Sequence, residues 1–186
     1  WFSDPIVSTL LDRPLPQLVN TLIHEIVHRT LFYPGKTTLN ESLATFIARE
    51  GTLSFFARHP EAATDEEILA FRSGLVGDAA DTVLLERTRR DLDALYRSER
   101  PSDELRRRKR EIFRTAANAR ARIFGPAVPF PASNAFILSF ADYHSLVPKL
   151  EELQERIGGT PRDLMSYLLQ VRAETGGPPA ELITTP

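Results

Sequence analysis

The 186-residue chain contains no cysteine. That excludes disulfides, thiolate metal ligands and a cysteine nucleophile, and is compatible with either an exported or a cytosolic home. No run of about 18 apolar residues exists, so the chain carries no membrane-spanning helix. Its first residues, starting at Trp1, lack the basic start and small-residue cleavage site of a signal peptide. Glycine is scarce at nine residues, strand-like alternation is weak, and neither internal repeats nor low-complexity tracts occur, which leaves a mainly α-helical reading with little β. A 42% hydrophobic, 26% charged composition with formal net charge -2 fits one globular region with a real core. Without an initiator methionine, residues 1 to 186 read as the C-terminal part of a longer protein.

Residues 24 to 28 read His24-Glu25-Ile26-Val27-His28, an HExxH motif inside an apolar run of Leu15, Leu18, Val19, Leu22, Ile23, Ile26, Val27 and Leu31 at helical spacing. Pro14 and Pro16 suit a helix start, and Pro34-Gly35 ends the segment in a turn, predicting a helix over about residues 16 to 32. Residues four apart differ by about 40° around a helix, so His24 and His28 stand one turn apart and can ligate one ion. Glu25 sits beside them as a base for the attacking water, the layout of a metalloprotease.

A catalytic zinc ion usually takes three protein ligands, two histidines and a glutamate being one established set. Glu41 is the candidate third ligand. A second helix can start at Thr37 or Thr38 and run to about Arg58, with Glu41, Ala44, Thr45 and Ala48 on one stripe. Three small residues in that stripe would let two helices approach closely, while Leu43, Phe46, Ile47 and Leu53 pack elsewhere in the core. The rival reading of Glu41 is a capping box with Thr38. Asn40 and Thr45 are candidates to support the ligands by hydrogen bonding, with capping or local bonding as the alternative. Glu50, nine residues beyond Glu41, faces the other way.

Further along, Thr64-Asp65-Glu66-Glu67 starts a helix with Ile68, Phe71, Leu75, Ala79 and Val83 as its apolar stripe. It continues to about Arg97. Pro101-Ser102-Asp103-Glu104 starts another that runs to about Ile123, making residues 65 to 123 a helical hairpin. Its basic segment, from Arg106 to Arg122, reads as a packed helix with a solvated face rather than a nucleic-acid site. A proline-rich loop at 124 to 131 follows, then helices at about 145 to 157 and 161 to 174, and a loose tail over 175 to 186.

The chain resembles the bacterial predicted aminopeptidases, a group of zincin-like proteins. The resemblance rests on Phe2-Ser3-Asp4-Pro5, on residues 22 to 28, on 34 to 46, on Arg49-Glu50-Gly51, on Ser133-Asn134-Ala135 and on Tyr143-His144-Ser145-Leu146-Val147-Pro148. It implies a metallopeptidase with one Zn²⁺ on His24, His28 and Glu41, and Glu25 in catalysis. It also implies an exported, periplasmic or lipid-anchored protein, with membrane association only through an N-terminal anchor outside this chain.

Peptide hydrolysis on such a site also needs a donor for the developing oxyanion, for which Tyr143, and after it His144, are candidates; a tyrosine packed against helix ends is the alternative. Asn134 could bind substrate backbone or serve as a cap. Two rivals stay open. One keeps the zinc in a closed, non-catalytic site that holds a helical binding module together; the other treats residues 65 to 123 as a partner-binding hairpin.

Overall fold

The computed structural model describes residues 8–98 and 101–182. The opening Trp1 and the Phe2-Ser3-Asp4-Pro5 stretch lie outside the described residues. Within them the chain is helical and contains no strand: α1 (Ser8–Leu11), α2 (Leu15–Thr30), α3 (Thr37–Arg58), α4 (Asp65–Tyr96), α5 (Ser102–Phe124), α6 (Asn134–His144), α7 (Val147–Ile157) and α8 (Pro161–Thr175), with short 3-10 turns at Pro60–Ala62 and Ala180–Leu182. The protein is mainly α, as its sparse glycine and helical periodicity predict. It divides into two compact units, one made of residues 1–73 and 146–186 and the other of residues 74–145.

In the first unit α3 is the central helix, packed against α2, α7 and α8. It is buried on nearly every side, with Leu39, Leu43, Ala44, Phe46, Ile47, Ala48, Thr52 and Phe56 all out of solvent. A helix covered on most of its faces belongs inside a protein, and this one is the floor of the unit. Leu146, Leu150 and Leu153 of the α7 region and Leu164 and Leu168 of α8 close over it. The expected small stripe works as a close-approach face: Ala44 and Ala48 are fully buried, and a Cβ on Gly51 would lie only 3.2 Å from Ile23 of α2. The start of α8 is held by a reciprocal capping box between Thr160 and Asp163.

The second unit carries the rest of α4, then α5 and α6. Its buried apolar cluster is small, Leu85, Leu92, Phe113 and Ile137, with Ile112, Phe130, Phe136 and Phe140 against it. Inside it the Arg120 guanidinium donates to Asp81 at 2.9 Å and to the Pro129 carbonyl at 2.9 Å.

Three expectations need correction. The buried stripe of α4 in its second half is Asp81, Leu85, Thr88, Leu92 and Leu95, whereas Val83 is 71% exposed and Ala79 is exposed. Residues 134–144 form a helix that sequence periodicity did not mark, started by the Ser133 hydroxyl accepting from the Phe136 N–H at 3.2 Å. The tail after α8 is not loose over its described part, since Leu182 is 1% exposed in the first core and Glu181 pairs with Arg156 of α7.

Candidate functional site

α2 begins one residue after Pro14, with Pro16 in its first turn where a missing N–H costs nothing. It ends at Thr30, and Pro34 and Gly35 turn the chain into α3; Gly35 has φ +72°, a conformation other residues rarely adopt. This short connection makes α2 and α3 neighbours along their length. His24 and His28 on α2 therefore face Glu41 in the second turn of α3. The Nε2 atoms of the two histidines are 3.1 Å apart. Glu41 Oε2 lies 3.4 Å from His24 Nε2 and 3.5 Å from His28 Nε2.

Those three distances form a nearly equilateral triangle. Ligand atoms about 2.0 to 2.2 Å from a tetrahedral ion stand about 3.3 to 3.6 Å from one another, so the two edges to Glu41 match one face of such a coordination sphere and the 3.1 Å edge between the histidines falls just short of it. The donor set suits a borderline cation: two imidazoles and one carboxylate. Among the described residues this is the one group of three or more His, Asp or Glu side chains whose ligand atoms lie within 4.8 Å of one another. Its members are 18%, 21% and 22% exposed, so the cluster borders solvent instead of being sealed in the core.

Electrostatics keep the site ready for a cation. Burial and the neighbouring His28 hold His24 below its ordinary pKa, against the opposing pull of Glu41 and Glu25. A neutral His24 at neutral pH keeps a lone pair to donate. Glu25 is exposed and close enough to His24 for its charge to act on that imidazole. Glu41 points at the histidines from inside α3, whose N-cap is Lys36 with no side-chain cap bond; Thr38 lies within the helix, not at the N-cap position.

Asn40 sits beside Glu41, but its side chain is directed elsewhere. Its Oδ1 accepts from the Tyr33 N–H at 2.9 Å and its Nδ2 donates to the Tyr33 carbonyl at 2.9 Å. It is 2% exposed, so it clasps the α2–α3 connection and thereby sets where Glu41 stands relative to the histidines. Thr45 is half-buried one turn beyond Glu41. Ser42 is fully buried and its hydroxyl accepts from the Leu146 N–H at 3.3 Å, a tie to α7 with no motif to announce it.

The remaining candidates belong to the second unit. Asn134 opens α6 and exchanges hydrogen bonds with the Tyr96 hydroxyl at 3.0 to 3.1 Å. His144 stacks on Phe140 with ring centroids 4.1 Å apart, and Tyr143 is 41% exposed.

With this geometry in view, comparison with known families gives one assignment: residues 1–181 match the model of the family described as "Putative aminopeptidase". The chain belongs to that family. The match spans both units, and the family suggests a peptidase. No curated protein and no solved structure matches the chain.

Proposed function

We propose that this member of the aminopeptidase family is a zinc-dependent metallopeptidase, with His24, His28 and Glu41 as the metal ligands and Glu25 as general base. The observation that carries the reading is the triangle of ligand atoms with edges of 3.1, 3.4 and 3.5 Å on two consecutive helices. When bound, Zn²⁺ supplies Lewis acidity to the scissile carbonyl and lowers the pKa of water to about 7. The protein's own groups do the rest. The α2–α3 pair holds two imidazoles and a carboxylate at ligand spacing, and burial keeps His24 unprotonated. Glu25, exposed beside the ligands, takes the proton from the attacking water and returns it to the leaving amine. Three protein ligands at a solvent-bordered site leave a fourth position open, as a catalytic centre requires and a closed structural centre does not.

The test uses three proteins. Wild type is expected to carry about one zinc per chain by mass spectrometry and to cleave unblocked peptides; His24→Ala should lose the metal. Glu25→Gln should keep fold and metal while losing turnover by about two to four orders of magnitude. A Glu25→Gln protein as active as wild type, or a wild type that takes up no zinc, overturns the reading. Full zinc without any peptide cleavage would favour the rival in which the metal only joins helices.

A further inference from the structure

We propose that Arg49 binds a carboxylate of the substrate, on the same row of α3 as Glu41, and so makes the site select peptides with a negative charge within about three residues of the cleaved bond. The inference rests on the peptidase reading of the triad and adds to it the substrate class and the residue that selects it.

The position of Arg49 follows from the burial of α3 and its fit to α2. Between Leu39 and Ala48 every residue is buried except Glu41 and Thr45, and Arg49, four positions on, is half-buried like them. Positions four apart drift by about 40° around a helix, so Glu41, Thr45 and Arg49 form one continuous row. The opening that leaves the triad bordering solvent therefore runs along α3 as far as Arg49. α2 accompanies it: the histidines face Glu41 at one end, and at the other Asn20 donates to the Thr52 hydroxyl at 3.4 Å. Arg49 lies between these two cross-helix contacts. Its Cα stands about 12 Å beyond that of Glu41 along the axis, eight residues at 1.5 Å each. Helical side chains lean toward the N-terminus, which here is the direction of Thr45 and the triad. About three residues of extended peptide, at about 3.3 Å each, span what is left.

The protein leaves this guanidinium for a ligand to satisfy. Three described arginines are half-buried, Arg49, Arg89 and Arg120. Arg89 pairs with Glu86 and Asp93, and Arg120 with Asp81. Arg49 has no carboxylate partner among the described residues, and its Nε is out of solvent with no hydrogen-bond partner. Its neighbour Glu50 leaves the helix about 100° away. A partly desolvated guanidinium presents a planar fork that matches a carboxylate with two parallel hydrogen bonds. A peptide carries that group at its C-terminus and on aspartate and glutamate side chains.

The test uses zinc-loaded protein and two pairs of peptides that share the residues around the cleaved bond. The short pair ends about two residues beyond the bond, as free acid or as amide. The long pair runs about six residues beyond it, is amidated, and carries glutamate or glutamine near the bond. In wild type, removing the charge should raise KM about ten- to a hundredfold in at least one pair, the share of a charge-assisted hydrogen bond. An effect in the short pair alone identifies the terminal carboxylate as the ligand, and one in the long pair identifies an acidic side chain. Arg49→Gln should level the pair that wild type distinguishes, and Arg49→Lys, a point charge without the fork, should restore part of the difference. Zinc content and thermal unfolding check that the variants keep fold and triad; the wild-type comparison stands without them. Wild type cleaving charged and neutral peptides alike overturns the inference and leaves the peptidase reading intact, as does a preference that Arg49→Gln retains in full. A wild type that holds zinc and cleaves none of the peptides overturns both.

Discussion

The two units of this chain are stabilised in different ways. In the first, fifteen described residues form one buried apolar cluster fed by α2, α3, α7, α8 and the 3-10 turn at Leu182. In the second, the corresponding cluster has four, and between α4 and α5 lies an open groove of about 540 Å³ lined by Leu84, Leu95, Ile112 and Ala116 together with Arg87 and Arg108. There the long helices lean on local ladders such as Glu86, Arg89 and Asp93 at 3.2 Å spacings, each such exposed pair contributing a few tenths of a kcal/mol. They lean also on a series of rings, Phe113, Phe130, Phe136 and Phe140, at centroid distances of 5.8 to 6.5 Å. The difference tells where a metal triad can be built. Three ligand atoms can be held in a triangle 3.1 to 3.5 Å on edge only where the helices carrying them are locked against each other, and the small residues of α3 provide that on the first unit.

The sharpest way to break the comparison is in the second unit. Asp81 and Arg120 are 3% and 15% exposed in their side chains, so they form a buried ion pair where an apolar core would otherwise sit. Asp81→Ala leaves a charged guanidinium without its carboxylate and should cost about 3 to 5 kcal/mol in urea denaturation. Arg120→Ala should cost a comparable amount, and the double variant less than the sum of the two, by about 0.5 to 3 kcal/mol. Single variants that each cost under about 1 kcal/mol would mean that the four-residue cluster suffices alone.

The matching test in the first unit concerns Asn40. Asn40→Ala removes both hydrogen bonds to the buried backbone of Tyr33 and should cost about 2 kcal/mol. Because the clasp also sets the position of Glu41, zinc affinity should fall about tenfold or more, as for other groups that orient ligands from behind. Calorimetric unfolding of the metal-free protein and a competitive zinc titration read the two effects separately. Lost stability with unchanged zinc affinity would make Asn40 a turn residue alone.

Much of this was legible in the sequence where the signals are local. Pro16 before an apolar period, Thr64 with Glu67, and Pro101 before Asp103 and Glu104 mark helix starts that the structure places within a residue or two. The Thr64 capping box is formed in full, with Glu67 accepting from the Thr64 N–H at 2.9 Å and Thr64 from the Glu67 N–H at 3.2 Å. His24 and His28 share a face by their spacing of four. The α4 stripe failed because the true one contains two polar residues: Asp81, whose partner Arg120 is 39 residues away, and Thr88, whose hydroxyl is satisfied within the helix by donating to the Leu84 carbonyl at 2.8 Å. Helix α6 escaped because its apolar residues, buried Ile137 and partly buried Phe136 and Phe140, pack in a cluster with distant Phe113 and Phe130.

The smallest expected effect sharpens the view of the first core from the alkaline side. Tyr33 is 2% exposed, its hydroxyl donates to the Leu168 carbonyl at 3.4 Å, and burial raises its pKa above the ordinary value of 10.0 despite the opposing Arg172 guanidinium 5.9 Å from the ring. A group whose pKa is raised by folding binds its proton more tightly in the native state, so its stabilising share is whole below pH 10 and is lost as pH rises beyond that, because the unfolded chain ionises first. Stability of the metal-free wild type should therefore fall from about pH 10 upward more steeply than that of Tyr33→Phe. Tyr33→Phe should itself be only slightly less stable at pH 8, where the phenol is neutral in both states and only one hydrogen bond is lost. Parallel curves for the two proteins above pH 10 would mean that the hydroxyl reaches water through an opening between α2 and α8, and that this part of the core is looser than the burial of its neighbours implies.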